Sequence, residues 1–468
     1  MSKVLLLAAM LACGVACSGS ASPPSNNARI TVTVQVNTSV PGRALNSTFA
    51  GFSYEKSQVS KPFFSAGNTA LVKLFQRLGP SILRVGGNSV DKTTWNPSGA
   101  GLTSGTVAPA DIDRLASFLR AADWQVIYGM NLASNTPGQM ASEAAYAAQS
   151  LGDRLYGYEI GNEPDLYHSN GDRPSTYTFS DFLSEWQSYA GAVRAQVPDA
   201  AFTGPAAASN TNGYTIPFAK AEASVLKLLT QHYYRANGQS PTSTLTLLLS
   251  PDPNLPGTLQ ALSSAAQQYH VAEGFRLAEA NSFYNGGAPG VSDAYGTALW
   301  AIDFLFINAL NGSTGVNFHG GGNGPGYTPI ADDGTSVVEV RPEFYGIYLF
   351  SMAANGNLLG TTVDASGLSF STYAVQSSGG QLALLFVNKD ATHTAQVTTV
   401  DLNMTATAAT LTVLTGPTLE STSGEELNGA AIGSDGSWAP QSSATQPVSN
   451  GVLRISVSPA SAVLALIH

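Results

Sequence analysis

Between residues 46 and 350 the chain alternates short apolar runs with amphipathic segments, and it does so eight times. The runs fall at 49–55, 82–87, 126–132, 155–163, 201–206, 228–234, 275–282 and 315–320. Continuous apolar runs of this kind suit strands buried on both faces, as in a parallel sheet covered by its own crossover helices. The intervening segments carry the helical period. Ile112, Leu115, Ala116, Leu119 and Ala122 share one helical face. Phe179, Phe182, Leu183, Trp186, Tyr189 and Ala190 share another, behind a Thr178/Asp181 pair placed as a capping box. A further helix is expected over 293–310, stopped by Asn311-Gly312. Eight strand–helix units predict an α/β fold, a closed (β/α)8 TIM barrel, over residues 46–350. The competing open, doubly wound sheet places a glycine-rich turn after its first strand, and none follows 49–55.

Beyond residue 350 the pattern changes. Runs at 370–376, 382–387, 396–402, 409–414, 452–457 and 462–467 are short, apolar or alternating, and punctuated by Gly and Ser. They predict an accessory β-sandwich over 351–468. Ile30, Val32, Val34 and Val36 alternate with polar residues, so 28–45 holds a strand. It has no place in the barrel and is expected to join the sandwich. Residues 1–21 have the form of a signal peptide, with Lys3 ahead of a nearly all-apolar stretch at 4–15. Two cleavage readings stand. Gly14-Val15-Ala16-Cys17 has the form of a bacterial lipoprotein box, which would leave a lipid anchor at Cys17; an ordinary peptidase would instead cut after Ala21. Either way the chain is expected to be exported, as a periplasmic, secreted or outer-surface protein. The leader is too short to span a membrane, and no later apolar segment reaches spanning length.

Composition narrows the function. Charged residues are only 11%, against about a quarter in an ordinary globular chain. The net charge is −10 and no Lys/Arg run occurs, which argues against nucleic acid as a partner. Both cysteines, Cys13 and Cys17, fall in the leader, so the body has neither a disulfide nor a thiol nucleophile. The six histidines show no paired metal-ligand spacing, and no metal site is expected. The glycine-rich stretch from Gly320 to Gly326 lacks the spacing and context of a dinucleotide fingerprint, and no cofactor is expected. The chain is read as a monomer.

In a parallel barrel the reactive side chains stand at the C-terminal ends of the strands. Two such ends carry a glutamate. Tyr158-Glu159-Ile160-Gly161-Asn162-Glu163-Pro164 closes the fourth strand, with Pro164 enforcing the stop, and Arg276-Leu277-Ala278-Glu279-Ala280-Asn281-Ser282 closes the seventh. A pair of carboxyl groups is what glycosidic cleavage needs. One protonates the leaving oxygen and the other attacks the sugar or activates water. Glu163 is expected as acid/base and Glu279 as nucleophile. Glu159 is the rival on the same face but deeper, and Glu273 precedes its strand on the wrong side of the barrel. Glu55, Asn88 and Asp91, near the first and second strand ends, are candidates for binding sugar hydroxyls.

Asn162-Glu163-Pro164 on a fourth strand is similar to the acid/base signature of clan A glycosidases, whose nucleophile lies on the seventh strand. Within the clan, Arg84-Val85-Gly86-Gly87-Asn88, Gly161-Asn162-Glu163-Pro164-Asp165 and Glu279-Ala280-Asn281-Ser282 together resemble glycoside hydrolase family 79, over roughly residues 30 to 468. That family contains β-glucuronidases and heparanases. The resemblance implies retention through a glycosyl-enzyme intermediate. It implies that Asn162 bonds the sugar 2-hydroxyl and that Tyr233 bonds the nucleophile. It also implies that Tyr284, Tyr327 and the backbone of Gly326 hold a uronate. The basic clusters needed to grip sulfated chains are missing, so the expected partner is a terminal glucuronic acid on a glycan or glucuronide, removed in exo fashion by a bacterial enzyme. Other clan A activities, of β-xylosidase, β-glucosidase or arabinofuranosidase type, compete with this reading. So does a non-catalytic glycan-binding surface protein, which would need no glutamate pair.

Overall fold

The computed structural model describes residues 28–468 apart from 401, 403 and 442. The expected leader, its two cysteines and the segment up to residue 27 lie outside the described residues.

Eight parallel strands close into a barrel. In chain order they are Ala50–Glu55, Ile82–Gly86, Gln125–Met130, Leu155–Ile160, Phe202–Ala207, Leu226–Tyr234, Phe275–Asn281 and Val316–Gly320. The eighth pairs with the first, Phe318 opposite Phe52, which completes the ring. These strands are buried on both faces, as their apolar runs require. Helices cover the outside. Helix Pro109–Ala122 buries Ile112, Leu115, Ala116, Phe118 and Leu119 on one stripe. Helix Phe179–Gln196 starts at the expected capping box, where Thr178 Oγ1 accepts from the Asp181 N–H and the Asp181 carboxylate accepts from the Thr178 N–H.

Two helices depart from the one-faced pattern. Gly296–Leu310 and Pro342–Ala353 are buried nearly all round. An apolar helix without a polar face needs cover on every side. Here the barrel supplies one side and the C-terminal sheet the other. Phe304 stacks on Tyr233 of the sixth strand, and Phe306 stacks on Tyr373 of the sheet at 4.2 Å. One apolar cluster therefore runs from the barrel through these helices into Leu385, Leu414 and Leu464. Across the same boundary Asp303 accepts from Ser371, Tyr373 and Lys389.

The C-terminal region is one continuous sheet of ten strands that turns back on itself, because Ser461–Ile467 pairs with both Leu382–Asn388 and Ala408–Thr415. The N-terminal strand Arg29–Leu45 lies inside it, antiparallel to Gly356–Asp364 and parallel to Thr394–Thr399. Val32, Val34 and Val36 point into its separate apolar core with Leu384, Phe386 and Val397. Among the described residues no helix is long and apolar enough to cross a membrane.

Candidate active site

Strand register brings the two glutamates together. Glu279 on the seventh strand is paired in register with His232 on the sixth, and the His232 ring reaches toward the end of the fourth. His232 Nδ1 lies 2.9 Å from Glu163 Oε1 and 4.0 Å from Glu279 Oε1. One oxygen of each glutamate and a ring nitrogen of His232 all fall within 4.8 Å of one another.

The end of the fourth strand is built to hold Glu163 away from the strand direction. Gly161 has φ +83°, and a Cβ there would come within 2.6 Å of the Tyr167 hydroxyl. Glu163 itself sits in the left-handed region, with φ 52° and ψ 52°. For a residue with a Cβ this costs about 1–3 kcal/mol and persists only where the surroundings over-determine it. They do so here. The Glu163 N–H donates to Ala206 O at 2.9 Å. Pro164 opens a 3-10 turn, Pro164–Leu166, and the Asp165 carboxylate accepts from the N–H groups of Ala208, Ser209 and Asn210. The fourth and fifth strand ends are thus tied together on both sides of Glu163.

Glu279 has a different setting. Its carboxylate accepts from Arg84 Nη1 at 2.5 Å and from the Tyr234 hydroxyl at 2.8 Å, and His319 Nδ1 lies 3.6 Å away. Arg84 is fully buried. A lone buried guanidinium would cost several kcal/mol, and here it is met by Glu159, Glu279, Asn162 and Ser53. Two carboxylates against one guanidinium leave a negative excess, which His319 faces. Burial pushes the His319 pKa down, but Glu279 and Glu55 outweigh it and hold the ring above its ordinary value. Burial would raise the Glu279 carboxyl, but His319, His232, Arg84 and the Tyr234 hydroxyl together hold it well below the usual carboxylate range. Glu279 is therefore an ionised, desolvated carboxylate at any moderate pH.

His232 adds a feature of its own. Its Nδ1 contacts Glu163, while its buried Nε2 has no partner among the described residues. An imidazole nitrogen can donate to an ionised carboxylate or accept from a protonated one. The same contact can therefore serve Glu163 in either protonation state. Glu163, His232 and Glu279 also have the spacing of a small metal-ligand set. The Arg84 guanidinium already bonded to Glu279 opposes a further cation there, and the trio stands as two carboxylates bridged by an imidazole.

The other expected residues divide. Asn162 stands beside the pair, its Oδ1 accepting from Arg84 Nη2 at 2.8 Å and its amide nitrogen 3.4 Å from Asn88 Oδ1. Glu55 faces His319 Nε2 at 3.7 Å and accepts from the N–H groups of Asn88 and Ser89. Burial raises its pKa, but the His319 and Ser89 bonds outweigh this and leave it lowered. Tyr327 lies over the site with its ring 5.8 Å from Tyr234 and 5.9 Å from His319. Gly326 packs so closely that a Cβ would fall 2.0 Å from Gly286 O. Tyr284 is 45% exposed in the loop after the seventh strand.

Two expectations are corrected. Tyr233 does not bond Glu279, the expected nucleophile. Its hydroxyl donates to Asp252 and its ring stacks outward on Phe304, while Tyr234 makes the bond to Glu279. The strand was right and the pleat was one residue off: His232 and Tyr234 share the inner face and Tyr233 the outer. Asp91 is not free to bind sugar. Its two oxygens already accept from Leu132 N, Ala133 N, Asn162 N and the Tyr167 hydroxyl. It holds the Asn162 turn in place instead. Of the rivals, Glu159 is fully buried against Arg84 and Thr230, and Glu273 bonds Tyr156.

His232, Tyr234, Arg84 and His319 carried no role in the sequence reading. Two signals could have found three of them, and none marks His319. Inner-face parity at the end of the sixth strand selects 232 and 234 together. An arginine inside an otherwise apolar strand must be paired, and the nearest carboxylates in a barrel interior are those on facing strands.

Known proteins resemble this chain in sequence and in fold. Residues 372–464 match the glycosyl hydrolase family 79 C-terminal beta domain. A β-glucuronidase of Aspergillus niger is 26% identical over 371 residues, which cover 70% of this chain and 66% of that protein. The chain thus aligns with just under two thirds of that relative's length. A heparanase of Mus musculus is 24% identical over 233 residues, covering 47% of this chain and 42% of the heparanase. Among solved structures, a 4-O-α-L-rhamnosyl-β-D-glucuronidase from Fusarium oxysporum shares the fold with a TM-score of 0.76 at 18% identity, covering 94% of this chain and all of that one.

Proposed function

We propose, from the premise that the chain belongs to glycoside hydrolase family 79, that it is a retaining exo-β-glucuronidase acting on glucuronides or on glycans ending in β-linked glucuronic acid. The observation that carries the reading is the approach of the Glu163 and Glu279 carboxylates to within 4.8 Å. Retaining enzymes hold their pair roughly 5–5.5 Å apart, and inverting ones leave about 6.5–9.5 Å for a water.

In the first step a Glu279 oxygen bonds to the anomeric carbon while Glu163 gives its proton to the departing oxygen. In the second, water attacks the same carbon, Glu163 takes its proton, and the bond to Glu279 breaks. The setting of each residue suits its part. Glu279 is ionised, and Tyr234 and Arg84 orient it. Glu163 meets only the two-way imidazole contact of His232 and keeps an oxygen free for the leaving group. Asn162, oriented by Arg84, would bond the 2-hydroxyl, and Glu55 and Asn88 further hydroxyls. The uronate would lie against Tyr327, Tyr284 and the Gly326 backbone. The β-glucuronidase from Aspergillus niger, with its aligned sequence, supports the choice of sugar.

An aryl β-glucuronide and a matched aryl β-glucoside, compared side by side, test the proposal. Faster turnover of the glucuronide, with the β-anomer of glucuronate released first, is expected. Preference for the neutral sugar, or release of the α-anomer, would overturn it. We further propose that the chain is exported, in line with its leader; fractionation of expressing cells would show it outside the cytoplasm, and a cytoplasmic location would refute this.

A further inference from the structure

The loop after the eighth strand holds five glycines in the seven residues 320–326. Glycine loses more conformational freedom on being fixed than any other residue, so such a loop keeps one path only where contacts impose it. The inner half is held by the hairpin that follows. Thr328 Oγ1 accepts from the Gly321 N–H, Asp332 Oδ2 accepts from the Gly322 N–H, and Gly322 O accepts from the Asp332 N–H. Among the described residues, the outer half, 323–326, takes its hydrogen bonds from one side chain instead, that of Arg341.

Arg341 is buried. Its Nη1 donates to Gly324 O at 2.9 Å and to Gly326 O at 3.2 Å, and its Nη2 donates to Asn323 O at 3.1 Å. Its Nε donates to Glu339 at 3.2 Å. A planar guanidinium meets several oxygens at fixed angles, which a single ammonium does not. The root of the side chain is rigid. The Arg341 N–H donates to Pro329 O, and the residue immediately precedes the helix Pro342–Ala353, which is buried nearly all round between barrel and sheet. The start of that helix also holds Asn281 through Glu343. One packed element thus fixes both the end of the seventh strand and the loop after the eighth.

The path so fixed decides what the loop offers a ligand. Arg341 draws three of the four carbonyls of 323–326 to itself. Carbonyl oxygens repel a carboxylate, so a loop that gives N–H groups to an anion must turn its carbonyls elsewhere. Gly326 has φ +131°, in the region that favours glycine, and among the described residues its N–H meets no acceptor. The next N–H, of Tyr327, donates to Gly286 O at 3.2 Å. That bond joins the loop to the one after the seventh strand, where Tyr284 lies. The Arg341 charge is already met by Glu339 and the carbonyls, so the residue acts through the loop and not on the sugar.

We infer that Arg341 is a positioning residue for uronate recognition: by holding three loop carbonyls it fixes the path on which the Gly326 N–H and Tyr327 meet the sugar carboxylate. This rests on the glucuronidase reading and names the side chain that prepares its carboxylate subsite. Without Arg341 the glycines sample other paths, and affinity falls with the fraction of molecules that keep the competent one.

Arg341→Met, Arg341→Lys and Glu339→Gln are compared with the wild type on the aryl glucuronide and the aryl glucoside, and by hydrogen exchange of the peptide spanning 320–328. Arg341→Met should raise KM for the glucuronide about tenfold, leave its kcat and the glucoside kinetics near wild type, and speed exchange in 320–328. Arg341→Lys should fall between Arg341→Met and the wild type, since an ammonium replaces only part of the fork. Glu339→Gln, at a half-exposed carboxylate, should lie closest to the wild type. If Arg341→Met does not fold, Arg341→Lys decides by the same readings. An equal loss on both sugars would make Arg341 merely structural and overturn the inference. So would an unchanged glucuronide KM, or unchanged exchange in 320–328. The wild-type preference alone decides the glucuronidase reading, and loop exchange reads the brace without either sugar, so the two failures are distinguishable.

Discussion

The fourth and seventh strand ends carry the same side chain in opposite surroundings. Glu279 is enclosed by a guanidinium, a tyrosine hydroxyl and two imidazoles, all of which favour its charged form. Glu163 touches one imidazole through an atom that can donate or accept, on a backbone held in the left-handed region. The difference shows how one residue type is given two tasks. On the proposed roles, the carboxylate fixed in its charged form suits a nucleophile, and the one with a two-way imidazole contact suits an acid/base.

Removing each member should separate the tasks. Glu279→Ala is expected to lower kcat by about ten thousand-fold or more on every substrate while ligand binding persists. Glu163→Ala should cost about a hundred- to ten thousand-fold on substrates with poor leaving groups, and little on activated aryl glycosides, because only the former need the proton. Steady-state kinetics across a leaving-group series checks both. Equal sensitivity to leaving group in the two variants would erase the distinction.

The surroundings can be tested next. Tyr234→Phe should reduce kcat roughly tenfold to a hundredfold, and Tyr233→Phe should leave the chemistry near wild type, since Tyr234 bonds Glu279 and Tyr233 bonds Asp252. The depressed Glu279 pKa places the acid limb of the pH–rate profile below the ordinary carboxylate range. Above that limb the nucleophile is ionised, and activity falls as pH drops through it. Replacing His319 with Gln removes a cation that lowers this pKa, so the limb should move up by about one pH unit. An unmoved limb would show that His319 does not set the charge of Glu279.

A smaller effect comes from a carboxyl outside the pair. Glu343 begins the helix Pro342–Ala353 and accepts from Asn281, two residues past the nucleophile. Burial pushes its pKa up to about 8, only partly countered by Asn281 and Arg341. The folded state therefore holds this proton more tightly than the unfolded chain does. The stability it confers is full below the ordinary glutamate pKa and is lost as pH rises toward 8. Melting temperature should fall across that window by more in the wild type than in Glu343→Gln, which stays neutral throughout. Parallel curves for the two proteins would contradict this.

The barrel was legible because its strands are buried on both faces and so read as apolar runs, while its helices keep one apolar stripe. The C-terminal sheet was less so. Strands Gly356–Asp364 and Ala444–Ser449 are rich in Gly, Thr, Asn and Ser, and their pairing is dictated by neighbours rather than by their own pattern. Within the site, Glu163 was marked by its neighbours Asn162 and Pro164, and Glu279 by strand count. Asp91 was misread because an acidic residue at a strand end looks the same whether it faces ligand or four backbone and hydroxyl donors. Tyr233 was expected from the resemblance, which gives the strand and not the phase of its pleat. His232 and Arg84 act through contacts between strands far apart in sequence, which no local pattern records.

The central claim is that Glu279 becomes covalently bonded to the sugar while Glu163 supplies the proton. A 2-fluoro-glucuronide with an activated leaving group should accumulate the glycosyl-enzyme, which intact mass and peptide mapping can read. The account predicts one glycosyl adduct, on Glu279. An adduct on another residue would contradict it, and so would turnover that accumulates no adduct and releases sugar of inverted configuration.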